Sequence, residues 1–326
     1  MCSLVHITGD PAWIRGDIRP RGVWLNEYQG FLDDGTRAEA VRRALPVLAD
    51  HRDRGCPPPG PLPLGLVTEM MAYLACGPVP DEAVEMFVED LHLDGADSGR
   101  VDWGDAIDPE VRKRYPVVVV GAGEAGILAG IRLAQAGLPF VIFDRNPGPG
   151  GTWWENRYPG ARVDVGSHFY CYSFRPADHW SEYFARQPEL QRYFADVVAE
   201  YGLGPHIRFR HEVTGATWDE ATARWRVRVV GPDGIAETHE AAVLISAVGS
   251  LNIPNLPDIE GRDDFAGPAF HSARWDHGVE LEGARVAMIG AGASGFQIAP
   301  TIAPLVEHLT VFQRTAQWMF PNPLYR

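Results

Sequence analysis

Two short glycine-rich segments hold the residues best suited to chemistry. Residues 121–126 read Gly-Ala-Gly-Glu-Ala-Gly, and residues 290–295 read Gly-Ala-Gly-Ala-Ser-Gly. Between a strand and a helix, the first glycine of such a loop permits a tight turn and the second admits a pyrophosphate to the backbone. The third lets helix and strand pack closely, and the helix N-terminus faces the phosphate charge. The candidate pyrophosphate-binding residues are Gly121, Gly123, Gly126, Gly290, Gly292 and Gly295.

The residues that follow each second strand predict two different ligands. Asp144 lies 23 residues after Gly121, where a carboxylate hydrogen-bonds a free ribose diol, as in FAD or NAD. Gln313, Arg314 and Thr315 occupy the matching place after Gly290. A 2′-phosphate is repelled by an acid and attracted by a guanidinium, so this second site suits NADPH. The alternative for Arg314 is an ordinary surface arginine, since the chain contains a single lysine, Lys113.

The elements around these loops predict an α/β fold with two Rossmann-like units. Apolar β-branched runs at 116–120 and 285–289 are typical of parallel strands buried on both faces. Each is followed by its glycine loop, a helical stretch and a second strand, at 140–143 and 309–312. Residues 1–112 read as short helices joined by loops. The predicted domains are a helical extension (1–112), the first part of an FAD-binding domain (113–252) and the N-terminal part of an NADP-binding domain (253–326).

Composition disfavours several other functions. The formal net charge of −14 argues against nucleic acid and anionic membrane surfaces as partners. The four cysteines form no Cys-x-x-Cys pair, and no His-Glu-x-x-His motif occurs, so dithiol and metal chemistry have no support. No apolar run reaches the eighteen residues of a membrane helix, and the first residues do not resemble a signal peptide. A cytoplasmic protein is expected.

Four further segments add a resemblance to a known family. Residues 150–164, Gly-Gly-Thr-Trp-Trp-Glu-Asn-Arg-Tyr-Pro-Gly-Ala-Arg-Val-Asp, are similar to the segment after the flavin loop in the Baeyer–Villiger monooxygenases, a family of flavoproteins. Residues 265–276, Phe-Ala-Gly-Pro-Ala-Phe-His-Ser-Ala-Arg-Trp-Asp, resemble the family fingerprint, with Ser272 for the usual threonine. Residues 247–257 are similar to the link into the NADP domain. The extension, with His-Ile-Thr-Gly-Asp at 6–10, resembles the 4-hydroxyacetophenone monooxygenase subgroup.

The resemblance implies a reaction and a set of site residues. NADPH would reduce FAD, and the reduced flavin would use O₂ to oxygenate a ketone or aldehyde, giving an ester or lactone from a ketone. Asp164 would orient an active-site arginine and is the implied catalytic residue. The implied cofactor-binding residues are Gly151, Thr152, Trp153, Asp164 and Tyr170 at the flavin, Arg162 and Val163 where flavin and nicotinamide meet, Ser294 and Gln297 at the NADP pyrophosphate, and Arg314 and Thr315 at its 2′-phosphate.

Other interpretations of these residues stay open. Trp153 and Trp275 are also suited to a core, Asp164 to a turn, and His271 to a structural role rather than proton donation. In place of a ketone oxygenase, the chain is also compatible with a nitrogen- or sulfur-oxidising flavin monooxygenase, because these relatives share its layout. The fingerprint of those relatives usually ends in Tyr or Phe, so Trp275-Asp276 favours the Baeyer–Villiger branch.

The length of the chain raises a further expectation. In the family, the chain returns from the NADP domain to the flavin domain, and an essential arginine in a Lys-Arg pair lies on that stretch. No Lys-Arg pair follows Arg314, so no catalytic arginine is assigned. We expect a C-terminally truncated or split form with weak turnover, or an inactive nucleotide-binding fragment. A homodimer formed through the extension is a further possibility.

Overall fold

The computed structural model describes residues 1–22, 30–91, 93, 97–104, 106–251 and 253–319. Asn252, in the segment that resembles the link into the NADP domain, lies outside the described residues. The chain forms two compact units. One comprises Met1–Gly99 with Tyr172–Pro176, and the other comprises Arg100–Cys171 with Ala177–Arg326.

The first unit is helical in its described parts, as predicted for the extension. Its helices are α1 (Cys2–Thr8), α2 (Ala12–Arg15), α3 (Asp34–Asp53), α4 (Leu64–Ala75) and α5 (Asp81–Leu91). Helix α3 begins where it does because the Asp33 side chain accepts a hydrogen bond from the Thr36 N–H. A small core forms around Val5, Ile14 and Met70, with Tyr73 packed against it.

The second unit is organised around a parallel sheet. Its elements are α6 (Pro109–Arg112), β1 (Val117–Val120), α7 (Glu124–Gln135), β2 (Phe140–Asp144), α8 (Thr152–Glu155), α9 (Gln187–Glu200) and β3 (Ile207–Phe209). The strand order is β3-β2-β1, with the later strand β7 (Val243–Ser246) on the other side of β1. Strand β1 is four consecutive valines, three of them buried. Such β-branched residues favour a central strand covered on both faces. The predicted α/β fold is confirmed.

An antiparallel sheet that was not predicted from the sequence lies between β3 and β7 along the chain. It consists of β4 (Glu212–Asp219), β5 (Arg224–Val230) and β6 (Ala236–Ala241), with an irregularity between Val213 and Gly215. The signal is present in β5, where buried Val227 and Val229 alternate with exposed arginines. These valines share a core with Val118 and Phe143 of the parallel sheet.

The last described elements repeat the strand–helix–strand unit. They are β8 (Arg285–Ile289), α10 (Ala293–Ile302) and β9 (His308–Phe312). The two strands pair in parallel, with Val286 opposite Leu309. All four strands predicted around the glycine loops are therefore observed, with ends shifted by a single residue at most. Among the described residues, no helix combines the length and apolar character needed to cross a membrane.

Candidate dinucleotide-binding site

The first and third glycines of the first loop lie where a side chain would overlap neighbouring backbone. Gly121 has φ +104°, and its N–H donates to the carbonyl oxygen of Phe143 at 2.8 Å. A Cβ on Gly121 would lie 2.5 Å from the carbonyl oxygen of Ala247. A Cβ on Gly126 would lie 1.8 Å from the oxygen of Gly121. The resulting cradle exposes backbone at the start of α7, where the first-turn N–H groups have no intrahelical acceptor.

Gly150 and Gly151 close one side of this cradle. The Gly150 N–H donates to the carbonyl oxygen of Ala122 at 3.0 Å. A Cβ on Gly151 would lie 2.8 Å from Cα of Gly123, so the two backbones need glycine to approach this closely. Gly151 also precedes α8, which begins at Thr152. The structure thus brings two predicted site residues, Gly151 and Thr152, beside the first glycine loop.

Asp144 sits at the carboxyl end of β2 and supports the loop directly. Its carboxylate accepts the N–H of Ala122 at 2.6 Å and the N–H of Asn146 at 2.7 Å. The residue is 7% exposed. Burial raises the pKa of the carboxyl group, and the two backbone hydrogen bonds offset that rise only in part. Each carboxylate oxygen retains a second lone pair, so a ribose diol remains a compatible partner.

Three predicted flavin residues lie in one cluster. The indole N–H of Trp153 donates to the Tyr170 hydroxyl at 3.1 Å, and the two rings meet edge to face with centroids 5.5 Å apart. Burial raises the pKa of Tyr170 to about 12, with further contributions from Glu124 and Asp164. Val163, which is 2% exposed, packs in the same cluster. Trp153 therefore has both a core contact and a polar contact, which satisfies either interpretation of this residue.

The turn that carries Asp164 is held by buried hydrogen bonds. The Val163 N–H donates to the carbonyl oxygen of Ala185 at 3.1 Å. The fully buried Ser167 hydroxyl donates to the carbonyl oxygen of Tyr183 at 2.8 Å and accepts the Ala185 N–H at 2.7 Å. Asp164 itself is exposed. A fixed turn with an exposed carboxylate is suited to positioning a partner group.

Gln297 of α10 joins the two glycine-loop units. Its side-chain oxygen accepts the Tyr158 hydroxyl at 3.1 Å and the Arg162 N–H at 3.2 Å, and its amide donates to the Arg162 carbonyl at 3.0 Å. A Cβ on Gly160 would lie 2.3 Å from Oγ1 of Thr301. The side chain predicted to meet the NADP pyrophosphate is thus engaged with the loop before Asp164. Its role at a pyrophosphate stays a prediction.

Tyr158 was not predicted as a site residue. Burial raises its pKa, a hydrogen bond with Ser294 opposes that rise, and the charge of Asp164 adds to it. Tyr158 therefore lies close to Ser294, in the first turn of α10, and to Asp164. Its position between two predicted site residues had no separate sequence signal, because the contact depends on α10 docking against residues 156–163.

The second glycine loop repeats the backbone of the first. Gly290 has φ +109°, its N–H donates to the Phe312 carbonyl at 2.8 Å, and a Cβ on Gly295 would lie 2.4 Å from the Gly290 oxygen. Arg314 and Thr315 follow β9 and are exposed. Gln313 occupies the place that corresponds to Asp144, because Phe312 and Phe143 accept the equivalent glycine N–H groups, and Arg314 and Thr315 are the next two residues. Contact of either with a 2′-phosphate stays a prediction.

A buried carboxylate, also not predicted, links the fingerprint to helix α8 within the second unit. Glu155, with a side chain 3% exposed, pairs with Arg145 at 3.1 Å and with Arg274 at 2.9 Å. Burial acts to raise the pKa of Glu155, but hydrogen bonds from Asn146, Arg145 and Arg274 outweigh it and hold the pKa below its ordinary value. Since Arg274 belongs to residues 265–276, this link fixes the fingerprint beside α8.

Two other fingerprint residues have structural contacts. His271 caps the 3-10 turn Ser272–Arg274, because its Nδ1 accepts the Ala273 N–H at 3.1 Å. The Trp275 ring packs edge to face on Phe270 with centroids 5.1 Å apart. The described residues contain no cluster of His, Cys, Asp and Glu arranged to hold a metal ion. The four cysteines are free thiols.

Comparison with known proteins gives two family matches. An NAD(P)-binding Rossmann-like domain matches residues 119–187, which include the first glycine loop. The L-lysine 6-monooxygenase/L-ornithine 5-monooxygenase family matches residues 180–322, which include the second. Together they define a class: monooxygenases that contain a Rossmann-like NAD(P)-binding domain.

Individual relatives narrow that class. A Baeyer–Villiger monooxygenase of Streptomyces coelicolor is 45% identical over 214 residues, 65% of this chain and 40% of the relative. An uncharacterized monooxygenase, y4iD, of Sinorhizobium fredii is 33% identical over 325 residues, 99% of this chain and 48% of the relative. The solved structure of OTEMO in complex with FAD and NADP matches with TM-score 0.60 and 39% identity, over 64% of this chain and 41% of that one.

The chain is a homologue of the Baeyer–Villiger monooxygenases. It spans less than half the length of these relatives, 40% of one and 48% of the other.

Proposed function

We propose that the second compact unit binds FAD at the first glycine loop and NADPH at the second, and that it serves a flavin-dependent monooxygenase reaction. The observation that carries the proposal is a difference between two loops of equal backbone geometry. Buried Asp144 follows the first, and exposed Arg314 follows the second. A carboxylate accepts hydrogen bonds from a free ribose, whereas a guanidinium pairs with a 2′-phosphate.

The residues present fit both dinucleotides. A side chain at Gly121, Gly126 or Gly295 would overlap backbone, and both loops offer backbone N–H groups at the N-termini of α7 and α10. FAD, when bound, would supply the redox chemistry that couples NADPH and O₂ to a substrate. The chain would supply orientation and exclusion of water. Trp153 and Tyr170 are joined by a hydrogen bond and would form one wall of the site. The Gln297 contact with Arg162 would hold helix α10 against the loop before Asp164.

We propose a ketone as the substrate, with an ester or lactone as product. This rests on the relatives named Baeyer–Villiger monooxygenases and on Trp275-Asp276 at the end of the fingerprint. Asp164 is exposed at the end of a fixed turn close to Tyr158 and Tyr170, which suits the proposed role of orienting a catalytic group. An aldehyde is the alternative carbonyl substrate.

Oxygenation of an amine is a second candidate, because residues 180–322 match a family of lysine and ornithine monooxygenases. The two candidates differ in the atom that receives oxygen. Ester formation from a ketone requires insertion beside a carbonyl carbon, whereas amine oxygenation requires attack by the substrate nitrogen. Thioether oxidation does not discriminate, since both kinds of enzyme share that tolerance.

The test separates cofactor use from substrate choice. The purified chain is supplied with FAD and mixed with NADPH or NADH without oxygen, and loss of the oxidised flavin absorption is followed. Faster bleaching by NADPH supports the assignment of the two loops. Oxygen is then admitted with 4-hydroxyacetophenone, cyclohexanone or L-ornithine, and ester, lactone or hydroxylamine is identified by mass spectrometry. Hydroxylamine without ester would replace the ketone proposal, and flavin binding without bleaching would indicate an inactive nucleotide-binding chain.

A further inference from the structure

Glu124 places a carboxylate in the first glycine loop at a position where the second loop has none. It is the first residue of α7, directly after the N-cap Gly123. The equivalent first residue of α10, after Gly292, is Ala293. A carboxylate therefore stands at the helix end that is proposed to receive the FAD pyrophosphate, and a methyl group stands at the end proposed for NADP.

The carboxyl group of Glu124 is held in a directed hydrogen-bond chain. The indole N–H of Trp153 donates to the Tyr170 hydroxyl at 3.1 Å. Since that oxygen accepts from Trp153, the hydroxyl proton is available to Glu124, with which Tyr170 is hydrogen-bonded. Although the residue as a whole is exposed, burial of its carboxyl group raises the pKa of Glu124, and the Tyr170 hydrogen bond offsets this only in part.

A bound pyrophosphate would meet this carboxylate at a single helix terminus. One negative charge there is stabilised by the helix dipole, but two like charges within the first turn oppose each other. The two groups identified at this hydrogen-bond chain do not relieve the conflict. Tyr170 is neutral, and Asp164, whose charge acts on Tyr170, is a further acid. Protonation of Glu124 removes the repulsion and leaves the hydrogen bond to Tyr170 possible through the other oxygen.

We propose that Glu124 takes up one proton from solvent when FAD binds, so that FAD affinity falls as the pH rises. The inference rests on the proposed function, because it requires FAD at the first loop. The proton goes to a carboxylate oxygen, and no covalent bond of the dinucleotide changes. The complex then holds more protons than the free chain, which gives the stated sign of the pH dependence.

The test measures FAD binding and not turnover. The dissociation constant of FAD for the 326-residue chain is obtained by flavin fluorescence from about pH 4 to about pH 9, a range that extends upward from the ordinary glutamate value of about 4.3, the direction in which burial of its carboxyl group moves the pKa of Glu124. We expect the constant to increase by up to about tenfold per pH unit above that titration. Glu124→Gln, neutral at every pH, should abolish the slope and bind about tenfold more tightly than wild type at the alkaline end. Calorimetry in buffers of different ionisation enthalpy should show proton uptake by wild type alone.

Two matched variants sharpen the result. Tyr170→Phe removes a donor to the carboxylate, so the titration should move to higher pH while the slope remains. Ala293→Glu places an acid at the equivalent position of α10, so NADP⁺ affinity should fall more steeply with rising pH than in wild type, where only the 2′-phosphate, with a pKa of about 6, titrates in this range. Equal FAD slopes for wild type and Glu124→Gln would overturn the inference while leaving FAD binding intact. Failure of every variant to bind FAD would instead overturn the proposed function.

Discussion

The two glycine loops have one backbone geometry in two different environments. Their first glycines differ in φ by 5°, +104° against +109°, and each donates to the paired strand at 2.8 Å. Yet three of the four residues of β1 are buried, whereas β8 alternates between exposed and half-buried. The loop conformation is therefore local, because glycine and the strand–helix junction determine it. The surroundings and the side chain after the second strand differentiate the sites.

The largest expected difference between the two loops follows from one added methyl group in each. Gly121→Ala would combine a strained φ with an overlap on the Ala247 oxygen at 2.5 Å, so we expect a loss of about 3 kcal/mol or more of the free energy of unfolding. Gly290→Ala carries the strain without the overlap, since no atom lies within 4 Å, and should lose about 1 to 2 kcal/mol. Urea denaturation measures both. Equal losses would mean that the two environments do not differ.

Removing the link between the fingerprint and helix α8 should have the next largest effect. Glu155→Ala removes a buried carboxylate that has three polar partners. We expect the free energy of unfolding to fall by about 2 kcal/mol, because Arg145 and Arg274 regain water only in part. The folded pKa of Glu155 is lowered, so its contribution is present above the ordinary value of about 4.3 and is lost as the pH falls through the folded pKa. Wild type should therefore lose more stability than the variant on acidification.

The control for Glu155 is a surface ion pair. Asp263 pairs with Arg262 at 2.9 Å but its side chain is 83% exposed. Asp263→Ala should leave the urea midpoint and its acid dependence unchanged, because exposed pairs are screened by solvent. A Glu155 variant that behaves like this control would remove the evidence for a structural tie.

Truncation of Asp144, and of Gln313 at the corresponding place, tests the side-chain difference itself. Asp144→Ala leaves the buried N–H of Ala122 without its acceptor, so we expect a loss of about 1 to 2 kcal/mol together with loss of FAD binding. Gln313→Ala, at the equivalent place after β9, is exposed and should change stability by less than about 0.5 kcal/mol. Thermal unfolding and flavin fluorescence give the two readouts. Retained FAD binding in Asp144→Ala would contradict the assignment of the first loop.

The smallest expected effect concerns coenzyme choice. Arg314→Ala removes a guanidinium from an exposed position, so NADPH binding should weaken by about tenfold while NADH binding is unchanged. The ratio of the two dissociation constants is the measurement. An unchanged ratio would indicate that Arg314 is an ordinary surface residue.

Much of the second unit follows from patterns of local sequence. The four valines of β1, the glycine loop and the strand ending in Asp144 predicted a parallel unit, and 285–312 predicted its repeat. The antiparallel sheet was missed because only β5 alternates clearly between buried and exposed residues, while β4 and β6 are largely exposed. A weak alternation carries little information until a partner sheet covers one face.

The candidate site likewise contains some residues that local sequence reveals and others that depend on distant partners. The glycines and Asp144 were found because their spacing along the chain is a local requirement of the strand–turn–helix junction. Tyr158 and Glu155 were missed because their partners, Gln297 and Arg274, lie 139 and 119 residues away. Glu124 lay inside a motif as a variable position, and its neighbour Tyr170 is 46 residues further on. Such contacts have no signature in a single sequence.

Local sequence patterns specify the two glycine loops, their flanking strands and the chemical contrast between an acid and a guanidinium. The folded chain, in contrast, establishes which side chains meet. It assigned the Gln297 amide to the Arg162 backbone, enclosed Glu155 between two arginines and placed a tyrosine hydroxyl against Glu124. The two kinds of feature differ in sequence distance. Glycine conformation and the burial of β-branched residues depend on neighbours in the chain, whereas hydrogen bonds and pKa values depend on groups that folding brings together.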